Sequence, residues 1–339
     1  MKPINAFFGT AAIAAFAFVA TATAGTLDDV KKRDVLRCVV NTGVAGFAYP
    51  DENGVWKGFD IDFCRATAAA VLGDPTKIKT VNATGKTRFT LLNSGEGDVL
   101  WRNTTITFSR DVGIKLRFHG VNYYDGQGFM VKKSLGVKSA TELDGASICI
   151  QTGTTTELNL ADYFYSNDMT YEAVAIETTD EARQNYTAGR CDVYTTDVSG
   201  LAATRSTFTD PDAHVILPEI ISKEPLGPAT RHGDDQWSDI ITWVLNATIT
   251  AEEKGITMAN VDTMKNSRDP EVLRLLGVEG SQGEELGLDK QWAYRIIKTV
   301  GNYGEIFERN IGVNTPIGLE RGLNDLWTKG GLQYSPPFR

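Results

Sequence analysis

The chain has 339 residues, 42% hydrophobic and 23% charged, which excludes a disordered or collagen-like polymer and suffices for one large domain or two ordinary ones. Lys and Arg number 34 against 43 Asp and Glu, a net charge of −9, so a uniformly basic nucleic-acid binder is excluded.

Lys2 precedes an apolar run from Phe7 to Ala20, and Ala22-Thr23-Ala24 supplies small residues at the −3 and −1 positions of a signal-peptidase cut. The run falls short of the roughly 18 apolar residues of a spanning helix, and nothing downstream reaches that length. Residues 1–24 therefore read as a signal peptide rather than a membrane anchor. Cleavage after Ala24 removes one lysine, takes the net charge from −9 to −10, and yields an exported soluble protein.

Strand and helix patterns then alternate. Val35–Val40 reads as a strand, followed by a Gly-, Pro- and Asn-rich loop to Gly58, a helix over Phe59–Leu72 ending at Gly73, and a strand over Ile78–Val81. A short helix over Thr87–Asn93 and a strand over Asp98–Trp101 complete a βαβα pattern, the mark of a parallel sheet with helices on its faces. After Gly128 the pattern restarts, with strands Phe129–Lys132, Ser147–Gln151, Tyr171–Ile176 and Cys191–Thr195, and helices Thr156–Ser166 and Asp180–Ala188. Gly95-Glu-Gly-Asp98-Val99 is echoed by Gly189-Arg-Cys-Asp192-Val193, each time followed by a polar stretch. Two similar halves that place polar groups at the carboxyl ends of parallel strands suggest a cleft binder. The Pro/Gly-rich Glu224–Pro228 comes next, then a helix over Asp235–Lys254 and a mainly helical remainder to Arg339.

Thr154 and Glu157 have capping-box spacing, so a helix starts there, and its free N–H groups can hold a carboxylate. The same spacing serves an ordinary capped helix. Arg110, one turn into a short helix from Thr107, offers a planar fork that matches a carboxylate. Asp197 follows a strand; it accepts an ammonium or caps the Val198–Arg205 helix. The four cysteines, Cys38, Cys64, Cys149 and Cys191, form no C-x-x-C pair, and with only three histidines a structural zinc is poorly supported. Three disulfide pairings are open on the sequence alone.

The runs GFDIDFCRA (58–66), TTITFSRD (104–111), QTGTTTELN (151–159) and CDVYTTD (191–197), with the G-x-x-D-V strands, resemble the polar amino-acid-binding proteins of bacterial ABC importers. TLDDVKKRDVL (26–36), YYDGQGFMV (123–131), VILPEIISKEPLGP (215–228) and the C-terminal extension are similar to the general L-amino-acid-binding subfamily. The resemblance covers essentially the whole mature chain. It implies the type II periplasmic-binding-protein fold, two doubly wound α/β lobes with a two-strand hinge and a helical C-terminal extension. Lobe 1 is expected over 25–128 and 225–339, with the extension from about 256, and lobe 2 over 129–224. The two-lobe architecture favours Cys38–Cys64 and Cys149–Cys191, one disulfide in each lobe.

By motif position, Arg110 takes an α-carboxylate, helped by Thr105 and by Thr155 at the helix N-terminus, and Asp197 takes the α-ammonium. Thr154, Asn103 and Arg102 join the ligand shell, and Phe47 or Tyr49 packs on the ligand. The resemblance implies a periplasmic monomer without a cofactor that passes an L-amino acid to an inner-membrane ABC permease and its ATPase. Departures stand at Trp101, Ile106, Arg117 and Gly85; an indole at Trp101 facing the cleft narrows or redirects specificity. Two alternatives share the fold. A periplasmic lyase or dehydratase needs a carboxylic acid of raised pKa, for which Glu157 is the motif candidate, and a ligand-sensing receptor module differs in the genes beside it.

Overall fold

The computed structural model describes residues 25–339, so the expected signal peptide lies outside the described residues. A first sheet runs in the order β4 (Ile78–Ala83), β1 (Leu36–Asn41), β5 (Val99–Leu100), β14 (Ala229–Arg231), β6 (Leu116–Phe118). A second runs β10 (Tyr171–Ile176), β9 (Ala146–Gln151), β11 (Val193–Asp197), β8 (Gln127–Lys132), β12 (His214–Ile216). A small hairpin, β2 (Tyr49–Pro50) and β3 (Trp56–Lys57), fills the loop before Gly58.

The sheets are mixed rather than parallel throughout. In each, three parallel strands are followed by an antiparallel fourth, β14 or β8. The chain enters each fourth strand directly from a crossing between the lobes, and therefore from the opposite end of the sheet. The crossings are β7 (Tyr123–Asp125) and β13 (Glu224–Leu226), an antiparallel pair with Glu224 opposite Asp125 and Tyr124 opposite Pro225.

The repeated Gly-x-x-Asp-Val has a structural cause. Asp98 Oδ2 accepts the N–H of Arg37 at 2.7 Å, and Asp192 Oδ2 accepts the N–H of Ser147 at 3.2 Å. Each aspartate thereby clasps the start of the neighbouring parallel strand while its own N–H bonds back to the same residue's carbonyl. The echo is one strand-start device used once per lobe.

Helix α1 (Thr26–Arg33) opens the first lobe, and α2 (Phe59–Leu72) lies across its sheet. The Ala-rich centre of α2 is a strong helix former, and Gly73, at φ 73°, closes it in the left-handed conformation that favours glycine. At its start, a Cβ on Gly58 would lie 2.2 Å from the Phe47 carbonyl oxygen, so only glycine permits this approach. α3 (Arg88–Asn93) covers the other face. The second lobe carries α4 (Thr155–Ser166), α5 (Thr179–Thr187) and α6 (Val198–Arg205). Disulfides join Cys38 to Cys64, tying β1 to α2, and Cys149 to Cys191 in the second lobe. Closing loops of these lengths stabilises each lobe by roughly 3–4 kcal/mol on the chain-entropy model.

After α7 (Asp235–Glu253) come the short helices α8 (Val261–Met264), α9 (Pro270–Leu275), α10 (Gln282–Glu285), α11 (Trp292–Thr299) and α12 (Tyr303–Asn310). This extension packs on α2 and α7, and it also holds the outer edge of the hinge. The Asn324 amide accepts the Tyr124 N–H at 2.6 Å and donates to its carbonyl at 3.0 Å. The Tyr303 hydroxyl donates to the Asn122 carbonyl at 2.8 Å, and the Tyr123 ring stacks on Phe307.

Two aromatics expected at the ligand lie elsewhere. Side chains alternate across a strand, and here Val99 and Trp101 share the face under α2 while Leu100 joins Val39 on the other. The Trp101 indole is 0% exposed, stacks on Phe63 at 4.7 Å between ring centres and donates to Thr67 Oγ1 at 3.3 Å. Phe47 is 2% exposed, edge-on to Phe59 and Tyr123. Trp101 is thus core, and the expectation that it narrows the cleft is withdrawn. Trp101→Ala should lower the unfolding free energy by about 3–5 kcal/mol in denaturant titrations, the cost of an aromatic-sized cavity.

Candidate functional site

Four chain segments leave the carboxyl ends of β4, β5, β9 and β11 and converge between the lobes. The first lobe brings Arg88, Arg102, Asn103 and Thr105 to a narrow polar cavity; the second brings Gln151, Thr154, Thr155, Thr156, Thr196 and Asp197. The crossing strands pass behind it.

The cavity concentrates buried charge. Arg88 sits under it, donating to Thr104 Oγ1 at 3.2 Å and across to the Gly153 carbonyl at 3.4 Å. Arg102 donates to the Ala83 carbonyl at 3.0 Å. Arg110, buried beside the cavity on a turn of π-helix, Ser109–Gly113, donates to the Thr105 carbonyl at 2.8 Å. Both Arg88 and Arg110 lie over the Phe89 ring. Among the described residues none of the three forms an ion pair, and burial lowers the pKa of each, that of Arg102 to about 10.

Three carboxylates face them. Asp197 is held well above the usual carboxylate range by burial and by the charges of Asp125 and Glu224, against the pull of Arg88 and Arg110. Its side chain makes no hydrogen bond among the described residues and does not cap α6. Burial pushes Asp125 up to about 6, although the Ser199 and Gly126 N–H groups stabilise its charge. Of the four buried side-chain polar atoms without a partner among the described residues, Arg88 Nε, Asp125 Oδ2 and Gln127 Oε1 belong to residues in or bordering this region. Polar demand there exceeds what the protein itself supplies.

At the start of α4 the expected capping box is replaced. Thr154 Oγ1 donates to the Gln151 carbonyl at 2.6 Å, and Glu157 accepts the Gly153 N–H at 2.7 Å. The Thr154 hydroxyl therefore caps no N–H of the first turn, which stays open to an anion.

The lobes touch around the cavity. Lys86 pairs with Glu177 at 3.1 Å across the cleft. A Cβ on Gly85 would lie 2.7 Å from the Thr152 carbonyl oxygen, and one on Gly153 would lie 2.9 Å from the Lys86 nitrogen. The glycine at 85 thus gives the second lobe room to approach this closely.

Of the residues expected from sequence, Arg102, Asn103, Thr105, Thr154, Thr155 and Asp197 line the cavity, and Arg110 borders it. Tyr49 instead lines a neighbouring groove with Thr42 and Pro50, opposite Asp180 and Arg183. Sequence reasoning missed Arg88 and Glu224. Glu224 accepts from Thr105 Oγ1 at 2.5 Å and Thr155 Oγ1 at 3.0 Å, joining the lobes. The only signal for Glu224 was an acidic residue opening a Pro/Gly-rich stretch; Arg88 offered none.

Residues 36–256 match the model of the bacterial extracellular solute-binding proteins, family 3. The chain is 59% identical over 340 residues to the general L-amino acid-binding periplasmic protein AapJ of Rhizobium johnstonii, covering 100% of this chain and 99% of that one. It is 60% identical over 336 residues to the glutamate/glutamine/aspartate/asparagine-binding protein BztA of Rhodobacter capsulatus, covering 99% of each. Among solved structures it resembles an ABC transporter/periplasmic binding protein from Brucella ovis with glutathione bound, at a TM-score of 0.92 and 57% identity, covering 94% of this chain and 100% of that one.

Proposed function

The chain belongs to the bacterial extracellular solute-binding proteins, family 3, and on that premise we propose that it captures a free L-amino acid between its lobes for import. One observation carries the reading: unpaired guanidiniums and a carboxylate free of protein hydrogen bonds face one cavity at a hinge. Buried charges without partners are costly. A zwitterion supplies both missing partners at once.

Arg110 and Arg88, with the open N–H groups of α4, receive the α-carboxylate; Asp197 receives the α-ammonium. Relatives over the full length carry amino-acid-binding names, so the extension past residue 256 belongs to the same design. The chain is exported to the periplasm, cleaved after about Ala24, and acts as a monomer that hands its ligand to an inner-membrane ABC permease driven by its ATPase. It needs no cofactor. It is not an enzyme in this reading: Glu157 is occupied with the Gly153 N–H, and the raised pKa of Asp197 comes from a burial and crowding that an ammonium relieves.

A thermal-shift screen of the mature protein against the common L-amino acids tests this. A ligand at 100 times its Kd stabilises by about 2.7 kcal/mol, so a binder should give a clear rise in Tm and be recovered chemically unchanged. No response across the set contradicts the proposal. Arg110→Met should cost about 2–5 kcal/mol of binding while leaving the apo Tm in place.

Binding should also depend on pH. Asp125 titrates near 6 and Asp197 is raised with it, while Arg88, Arg110 and the bound ammonium favour the ionised form. Asp125 holds its proton below about pH 6 and Asp197 is raised as well, so binding must release protons and affinity should rise with pH through 6. Calorimetry of L-glutamine binding in buffers of different ionisation enthalpy should show proton release near pH 6. Proton uptake near pH 6 contradicts the assignment.

A further inference from the structure

Glu224 is 1% exposed and lies at the start of a crossing strand. Its four neighbours all act as donors to it: Thr105 Oγ1 at 2.5 Å and Thr155 Oγ1 at 3.0 Å on Oε2, and Asn159 Nδ2 at 2.6 Å and Ser222 Oγ at 2.8 Å on Oε1. A carboxylate only accepts, and a threonine hydroxyl has a single proton to give.

The consequence lies in what remains. With both protons directed at Oε2, Thr105 and Thr155, whose hydroxyls are 3.4 Å apart, cannot donate to each other. Nor can either donate into the cavity that both line. Thr154 is in the same position, its proton given to the Gln151 carbonyl. These three hydroxyls present only lone pairs to the cavity, and donation to a ligand is left to other groups there, the guanidiniums of Arg88 and Arg102 among them.

We infer that Glu224 is a positioning residue that sets Thr105 and Thr155 as acceptors, so that they join Asp197 in receiving a ligand's ammonium. This rests on the amino-acid reading, and it revises one part of it: Thr105 serves the ammonium and not the carboxylate. Glu224 thereby gives the cleft selectivity for amino acids over the corresponding des-amino acids, without touching the ligand.

The test uses the mature protein and four probes, L-glutamine and L-glutamate with their des-amino counterparts glutaramate and glutarate, by calorimetry and ligand-observed NMR. Glu224→Met keeps about the same length but offers no oxygen acceptor, so both threonine protons are released from Oε2 and can turn into the cavity. The amino acids should weaken by about 10-fold or more, and the des-amino acids should stay within threefold of the parent. The selectivity ratio therefore collapses, which a general loosening of the hinge would not produce. Thr105→Val tests the same point with Glu224 in place: amino acids should weaken and des-amino acids should not. If either variant weakens both classes alike, or Glu224→Met leaves amino-acid binding within threefold, the inference is overturned. If the parent binds none of the four probes, the amino-acid reading itself falls, and this one with it.

Discussion

Arg88, Arg102 and Arg110 share one poorly solvated cleft with Asp125, Asp197 and Glu224, and among the described residues no two of opposite sign are paired there. A buried ion that lacks a partner costs several kcal/mol. A core made this way would be replaced by apolar packing, so the arrangement makes sense only where another charged group enters. On the proposed reading that group is a zwitterion. Guanidiniums come from the first lobe, Asp197 from the second, and an occupant that bears both signs bridges the two. In that reading, binding draws the lobes together, because the guanidiniums lie on one and Asp197 on the other.

The rest of the fold holds these groups at the boundary between the lobes. Each lobe is made rigid by its own disulfide and by the same aspartate clasp, Asp98 on Arg37 and Asp192 on Ser147. The crossing strands link the lobes, and the extension holds one edge of them. Tyr124 stands opposite Pro225, which has no N–H to offer. Its own N–H and carbonyl turn instead to Asn324, whose side-chain amide takes the place of a third strand. The close approach of Gly85 to Thr152 and of Gly153 to Lys86 sets how far the second lobe comes down.

Local structure was legible where local rules decide it. Phe59–Leu72 was bounded correctly because Gly58 and Gly73 bracket an Ala-rich run, and Tyr171–Ile176 because its apolar residues sit between turns. Asp197 and Thr155, expected from motif position in the family resemblance, both line the cavity. Trp101 was misplaced because alternation permits either face, and the choice fell to α2, whose Phe63 and Thr67 receive the indole. The parallel-sheet expectation failed at β8 and β14, since strand direction there depends on where the chain crosses between lobes. Glu224 was invisible for the same reason. It lies 119 residues from Thr105 and 69 from Thr155, and its role exists only once the crossing strand brings them together.

The account stands on recognition of both charged ends of a zwitterion in one cleft, and blocking each end separately tests that most directly. Calorimetric titration of the mature protein should use the strongest-binding L-amino acid, its N-acetyl derivative and its α-carboxamide. The free amino acid should bind one to one, and each blocked form should bind at least about 100-fold more weakly, since each strands a buried charge. Retention of parental affinity by either blocked form would show that the charge it lacks is not what the cleft recognises.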